Sequence, residues 1–370
     1  MTVIPATMIR DMTMSERNYW SAGDIIRVFA TFGVLIVHVV SHHLKNPDVF
    51  NVAWWSLNLI ESLSIWAVPG FIMLSGALLL SPNRYDEPII DFYRKRITRI
   101  GIPFLFWVGA YLTWEKWRQG QPLSIDYVVQ SIISSDVSWH LFFLFIIVGL
   151  YIMTPWVRLW VSRMSSRDEL SLIITLFAIM VVGDIINRYL SQWGWNAATR
   201  WIPYLGYYIA GHYIVYHAPK KFGTYVLLFT IGFLGNIIGK YIEMRLATGS
   251  IGLFYNTSYL SITMIPLAIG LFGIIVTLAE FISVNNLFLR ICRLLAPSTL
   301  GVYLIHLMIM LELQERFEIA SPFHAGSAIL FAVSLAIISF AITYFIGILP
   351  VVRSIVDCHT QKVFSQFKKS

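Results

Sequence analysis

The amino-acid sequence predicts an all-α, polytopic integral membrane protein with about ten transmembrane helices and both termini in the cytoplasm. Three observations predict it. Of the 370 residues, 57% are hydrophobic and only 13% are charged, about half the charge of a soluble domain. The mean hydropathy is +0.69. Lys and Arg are also shared unevenly among the polar stretches between apolar segments.

Ten apolar segments can be marked, near 24–44, 53–80, 100–115, 138–159, 169–189, 200–216, 223–244, 257–280, 297–314 and 326–350. The third and sixth are short, which calls for little tilt or a locally thinned bilayer. With the amino terminus in the cytoplasm, 19 Lys and Arg fall on the cytoplasmic side and 8 on the other. This is the asymmetry that orients membrane proteins, and one span more or fewer would scramble it. Residues 123–135 are weakly amphipathic and read as an interfacial segment before the fourth span.

No long soluble insert or internal repeat interrupts the pattern. The reading is a cytoplasmic segment over 1–23, one transmembrane domain over 24–350, and a basic cytoplasmic tail over 351–370 suited to anionic lipid. The first 23 residues lack the apolar core of a cleaved leader, so the first span is expected to be retained. The net charge of +7 belongs to cytoplasmic loops and implies no nucleic-acid partner. Cys292 and Cys358 fall in short polar segments and read as free cytoplasmic thiols, with neither disulfide nor metal spacing.

The chain is organised around its first span, Asp24–Leu44, DIIRVFATFGVLIVHVVSHHL. Arg27 lies near its start and His38 deep inside. Eleven residues at 100° each return to within about 20° of the same face, and they rise roughly 16 Å. Arg27, Thr31, Leu35, His38 and His42 therefore share a stripe. An ionisable residue inside a membrane helix is costly and points to a polar cavity with a function. The bland reading is a histidine hydrogen-bonded between helices.

Four further sets of residues carry chemistry. Glu61 lies eight residues into the second span, at a depth close to that of His38. One reading is a dyad in which Glu61 fixes the tautomer of a general base, His38; the other leaves Glu61 unpaired among headgroups. The stretch Arg94–Pro103, RKRITRIGIP, places Arg96 and Arg99 three apart on one helix face. Such arginines either bind phosphate bidentately or supply ordinary positive-inside charge. Trp139 and His140 open the fourth span at the external face, as an interface anchor or as an acceptor pocket that stacks on sugars. His306 is a second intramembrane histidine, with Ser298 and Thr299 capping its helix.

His212, His217, His324 and His359 read as peripheral. His38 and His42 stand at i, i+4, but no acidic or cysteine partner has ligand spacing, so no metal is expected. The GxSxG elbow, the P-loop and HExxH are all missing.

These residues together resemble the membrane acyltransferase 3 family. Four matches carry the resemblance across most of the chain: Arg27 and His38 with ten residues between them; VPGFIMLSGALLL over Val68–Leu80, with Ser75 and Gly76; FYRKRITRIGIP; and the pair WHLFFL, Trp139–Leu144, and STLGVYLIH, Ser298–His306. The WHLFFL stretch and the lack of a fused domain resemble stand-alone surface-glycan O-acetyltransferases, including the enterobacterial common antigen type.

The resemblance implies a multi-pass enzyme of the bacterial inner membrane. It would move an acetyl group from cytoplasmic acetyl-CoA to a hydroxyl of a cell-surface or lipid-linked glycan. It marks Arg27 and His38 as essential, and Arg96 and Arg99 as candidates for the donor's phosphates. Glu61 rests on depth alone. Two rivals stay open: a transporter or flippase using the same polar path, and an acyltransferase with a longer acyl chain or a small-molecule acceptor. The sequence leaves the acceptor and the oligomeric state open.

Overall fold

A computed structural model describes residues 14–44, 51–190, 195–219, 221–246, 258–283, 286–317, 324–349 and 352–356. Among these residues the chain is helical, with no strand. Eight stretches are long and apolar enough to cross a membrane: Ser21–Ser41, Val52–Leu79, Phe142–Val161, Ser166–Asn187, Phe222–Arg245, Met264–Phe281, Leu287–Arg316 and Ala325–Ile348. They coincide with eight of the ten segments expected. The other two are also helical, but at 17 residues for Ile102–Arg118 and 12 for Leu205–Tyr216 they are the short ones. The protein is a polytopic α-helical membrane protein.

The helices, in order, are α1 Met14–Leu44, α2 Val52–Ser64, α3 Ala67–Leu79, α4 Ile89–Arg96, α5 Ile102–Arg118, α6 Ile125–Ile133 and α7 Phe142–Val161. There follow α8 Ser166–Leu190, α9 Leu205–Tyr216, α10 Phe222–Leu246, α11 Met264–Leu278, α12 Leu287–Leu295, α13 Thr299–Arg316 and α14 Ala325–Ile348. Helix α1 begins at Met14, ten residues ahead of the expected start. The polar run MSERNYWSAG offers no helix breaker before its glycine, so the span extends back as a continuous helix.

The chain divides into two compact units. One comprises residues 1–74 and 219–370, the other 75–218. In the first, α1 is central and touches α2, α11, α12, α13 and α14. Its apolar positions Ile25, Ile26, Val34 and Leu35 are buried, and Phe29 meets Phe288 of α12 edge-on, with ring centroids 6.0 Å apart. Helices α10 and α11 pack backbone to backbone. A Cβ on Gly232 would stand 2.1 Å from the Leu267 nitrogen, and one on Gly270 2.3 Å from that of Phe229. Small residues that let helices approach so closely replace the hydrophobic drive that lipid cannot supply. Cys292, expected in a polar stretch, is buried on the apolar face of α12 as a free thiol. Cys358 lies outside the described residues.

In the second unit, α8 and α9 are packed side by side, with Phe177 and Tyr207 edge to face at 4.9 Å. The interfacial stretch is the short helix α6, which exposes Ile125, Val129, Ile132 and Ile133. Helix α5 ends on Gly120, whose φ of +63° lets its N–H reach the Trp117 carbonyl at 3.1 Å and that of Gln121 reach Lys116 at 3.0 Å, a left-handed helix stop. Thr154 and Tyr208 join α7 to α9 through a 2.8 Å hydroxyl hydrogen bond.

Gly76, in the stretch that carried part of the family resemblance, faces the backbone of α9. A Cβ there would fall 1.7 Å from the Tyr208 carbonyl oxygen. Backbone on both sides leaves no side chain free to yield, so Gly76→Ala should cost about 1–3 kcal/mol by overpacking. The thermal midpoint in detergent should fall by several degrees. An unchanged midpoint would show that the contact is not tight.

Candidate active site

The polar residues of α1 divide along its length. Midway along it, Arg27 is buried and donates from Nη1 to Asp24 at 3.0 Å. Thr31, one turn on, is buried and returns its hydroxyl hydrogen to the Arg27 carbonyl at 2.8 Å, which satisfies it inside the helix. Leu35 is fully buried on the same stripe. The side chain of His42 lies outside the described residues.

His38 comes next, half-buried, and its ring meets that of His306 from α13. The centroids are 5.2 Å apart and the planes inclined by 35°. His306 is fully buried, and its Nδ1 lies 2.7 Å from the Tyr303 carbonyl oxygen. A carbonyl only accepts, so Nδ1 carries the hydrogen, and in the neutral ring Nε2 keeps the lone pair. One intramembrane histidine thus holds a set tautomer beside another.

Glu61 sits one turn further along. Its carboxylate accepts from Ser41 at 3.2 Å and forms a buried ion pair with Lys240 of α10. Asn58, one turn back on α2, donates to the Ile237 carbonyl at 3.1 Å. Glu61, expected near His38, is held at the next turn of α1 through Ser41. The imidazole has an imidazole neighbour, and the carboxylate has a lysine at the level of Ser41. Sequence reasoning missed Lys240 because it counted that residue only as loop charge. Its position inside an apolar stretch was the available signal, since a buried lysine needs an anion.

In the second unit, Arg96 ends α4 and is buried, with its guanidinium 5.4 Å from the Phe92 ring centroid and 5.8 Å from that of Tyr151. Among the described residues, its Nε and Nη2 meet no hydrogen-bond acceptor. Residues Ile97–Gly101 form a π-turn, closed by the Ile102 N–H on the Ile97 carbonyl. Such turns interrupt an α-helix and recur at functional positions. Arg96 precedes this wide turn and Arg99 lies within it, and they differ: Arg96 is buried and Arg99 half-buried.

Arg158 is tied down separately. Its Nε donates to the Leu79 carbonyl at 2.6 Å and its Nη2 to Glu87 at 3.0 Å. Trp139 and His140 lie in a turn that precedes α7, not on the helix itself. Trp139 is exposed, whereas His140 is buried, 3.1 Å from the Ser138 hydroxyl and edge to face with Tyr111. The two point into different surroundings.

The sequence matches the family described as “Acyltransferase domain” over residues 21–348. The chain belongs to the acyltransferase 3 family. No curated protein and no solved structure matches it significantly. The matched span of this membrane acyltransferase contains both intramembrane histidines, the Glu61–Lys240 pair and the π-turn arginines.

Among the residues expected to be peripheral, His324 caps α14 by accepting from the Ser327 N–H at 3.2 Å. His359 lies outside the described residues. His212 is fully buried on α9, against expectation. Its place on a short apolar helix, far from either end of the chain, was the signal.

Glu87 gathers Lys95 at 2.7 Å, Arg158 at 3.0 Å and Arg84 at 3.6 Å. Burial raises its carboxyl, but the hydrogen bonds from Lys95 and Arg158 and the charges of Arg158 and Arg84 outweigh burial and hold it below its ordinary 4.5. A lowered carboxyl adds stability that is complete above pH 4.5 and is lost as pH falls through the folded-state value. Wild type should therefore melt above Glu87→Gln at pH 7, and the gap should close as pH drops below 4.5. A gap that stays constant down to pH 3 would contradict this assignment.

Proposed function

We propose that this acyltransferase moves an acetyl group from acetyl-CoA to a hydroxyl of a cell-surface or lipid-linked glycan, in the bacterial cytoplasmic membrane, as surface-glycan O-acetyltransferases do. The observation that carries the reading is the pair of imidazoles at His38 and His306, set within apolar spans of a chain that belongs to an acyltransferase family. His38 is half-buried, unlike the fully buried His306 beside it.

In the proposed reaction His38 takes the proton of the acceptor hydroxyl as its oxygen attacks the thioester carbonyl. The new C–O bond forms, the C–S bond breaks, and the proton passes from His38 to the departing thiolate of coenzyme A. Glu61, neutralised by Lys240, holds Ser41 one turn from His38 and so fixes that part of α1. The donor's phosphates are assigned to Arg96 and Arg99 of the second unit. Arg96 has the strongest support, because a buried guanidinium with unmet N–H groups favours an anionic ligand. Trp139 supplies an exposed ring for stacking on a sugar, and His140 steadies the turn that presents it.

Labelled acetyl-CoA and purified protein test this directly. His38→Ala should lower acetyl transfer by about 10²–10⁴-fold with donor binding nearly intact. Arg96→Gln should raise KM for acetyl-CoA with a smaller change in kcat. Wild type that exports glycan but transfers no label would favour a transporter. Full turnover in His38→Ala would remove the base assignment.

A further inference from the structure

Glu169, His212 and His217 play no part in the reaction just described. Glu169 stands in the first turn of α8, His212 midway along α9, and His217 at the end of α9. On an unbroken helix, residues five apart would point about 140° away from one another. Helix α9 stops at Tyr216, and His217 leaves its track with φ −123° and ψ −28°. That departure brings the two rings together, centroids 5.2 Å apart and planes at 89°.

Both imidazoles aim Nδ1 at the same carboxylate. The His212 nitrogen lies 2.7 Å from Glu169 Oε1 and the His217 nitrogen 2.5 Å from Oε2. The three donor atoms lie within 4.8 Å of one another. The carboxylate and the His212 side chain are fully buried, while the His217 side chain is 30% exposed. Among the described residues neither Lys nor Arg pairs with Glu169. A fully buried carboxylate needs a positive charge beside it, and both of its hydrogen-bond partners here are imidazole rings.

We propose that Glu169, His212 and His217 bind one divalent first-row transition-metal ion of the Zn²⁺ type, clipping the start of α8 to the end of α9. Two imidazole nitrogens and one carboxylate oxygen suit Zn²⁺ and disfavour Mg²⁺ and Ca²⁺, which prefer all-oxygen shells. Tetrahedral donors each about 2.0–2.1 Å from such an ion stand about 3.3–3.4 Å apart, so the two nitrogen–oxygen contacts have to open by roughly 0.6–0.9 Å. His217, exposed and beyond the helix, is the ligand free to move.

The hydrogens follow. Without an ion, the carboxylate oxygens only accept, so each Nδ1 carries a hydrogen. An ion takes the Nδ1 lone pairs, and in each neutral ring the hydrogen moves to Nε2. On His212 that Nε2 lies 3.4 Å from the Tyr85 hydroxyl, which becomes the acceptor that orients the ligating ring. The clip thus reaches a third segment, the turn before α4.

The test uses full-length, untagged protein in detergent, stripped with a chelator and titrated with Zn²⁺ by calorimetry. One equivalent should bind and raise the thermal midpoint, and Mg²⁺ should do neither. His217→Gln, a substitution at a partly exposed site, should weaken Zn²⁺ binding by at least about tenfold, and Tyr85→Phe by about tenfold. His38→Ala should leave the binding unchanged, which separates this site from the reaction centre. Absence of saturable binding, or the same affinity in His217→Gln, would overturn the proposal.

Discussion

Helix α1 carries Arg27, Thr31, His38 and Ser41 through an apolar layer, and each of these side chains meets a partner there, although Arg27 Nε has none among the described residues. Water is not present to replace those partners. The rest of the first unit follows from that constraint. Arg27 has Asp24, and Thr31 has a carbonyl of its own helix. Ser41 bonds the Val37 carbonyl and Glu61. His38 meets His306, and Glu61 in turn has Lys240. Three neighbouring helices, α2, α10 and α13, are thereby tied to one seam. Burying ion pairs does little for stability by itself, but removing one partner is costly, so the seam fixes which helices are neighbours.

The second unit meets a similar demand differently. Arg158 is fully occupied by Leu79 and Glu87, so it serves structure. Arg96 has aromatic rings on its faces and nitrogens without acceptors. Two arginines, both buried and both near Phe92, therefore differ: one is bonded to Leu79 and Glu87, and the other has two nitrogens without an acceptor among the described residues. The π-turn after Arg96 interrupts the helix directly beyond it.

Much of this was legible in the sequence. Long apolar segments declare themselves because each must match the bilayer without help from tertiary contacts, and all ten segments are helical. The stripe from Arg27 to His38 follows from helical period alone. Partners were harder to read. Depth brought Glu61 close to His38, yet which side chains face each other depends on helix rotation, and a lysine on α10 was the partner found. The meeting of His38 with His306 is long-range and has no spacing to reveal it. His217 is hidden for another reason: it joins His212 only because a helix ends between them. Trp139 and His140 were adjacent in sequence, but a turn separated their surroundings.

The proposed reaction rests on the imidazole pair of His38 and His306, which would then act as one unit. A double-mutant cycle on the rate of acetyl transfer measures that coupling directly. If the pair works together, His306→Ala slows wild type but adds little to His38→Ala, because groups that act as a unit are strongly non-additive. If the two losses multiply, or if His306→Ala leaves the rate unchanged, the rings are merely neighbours and the account fails.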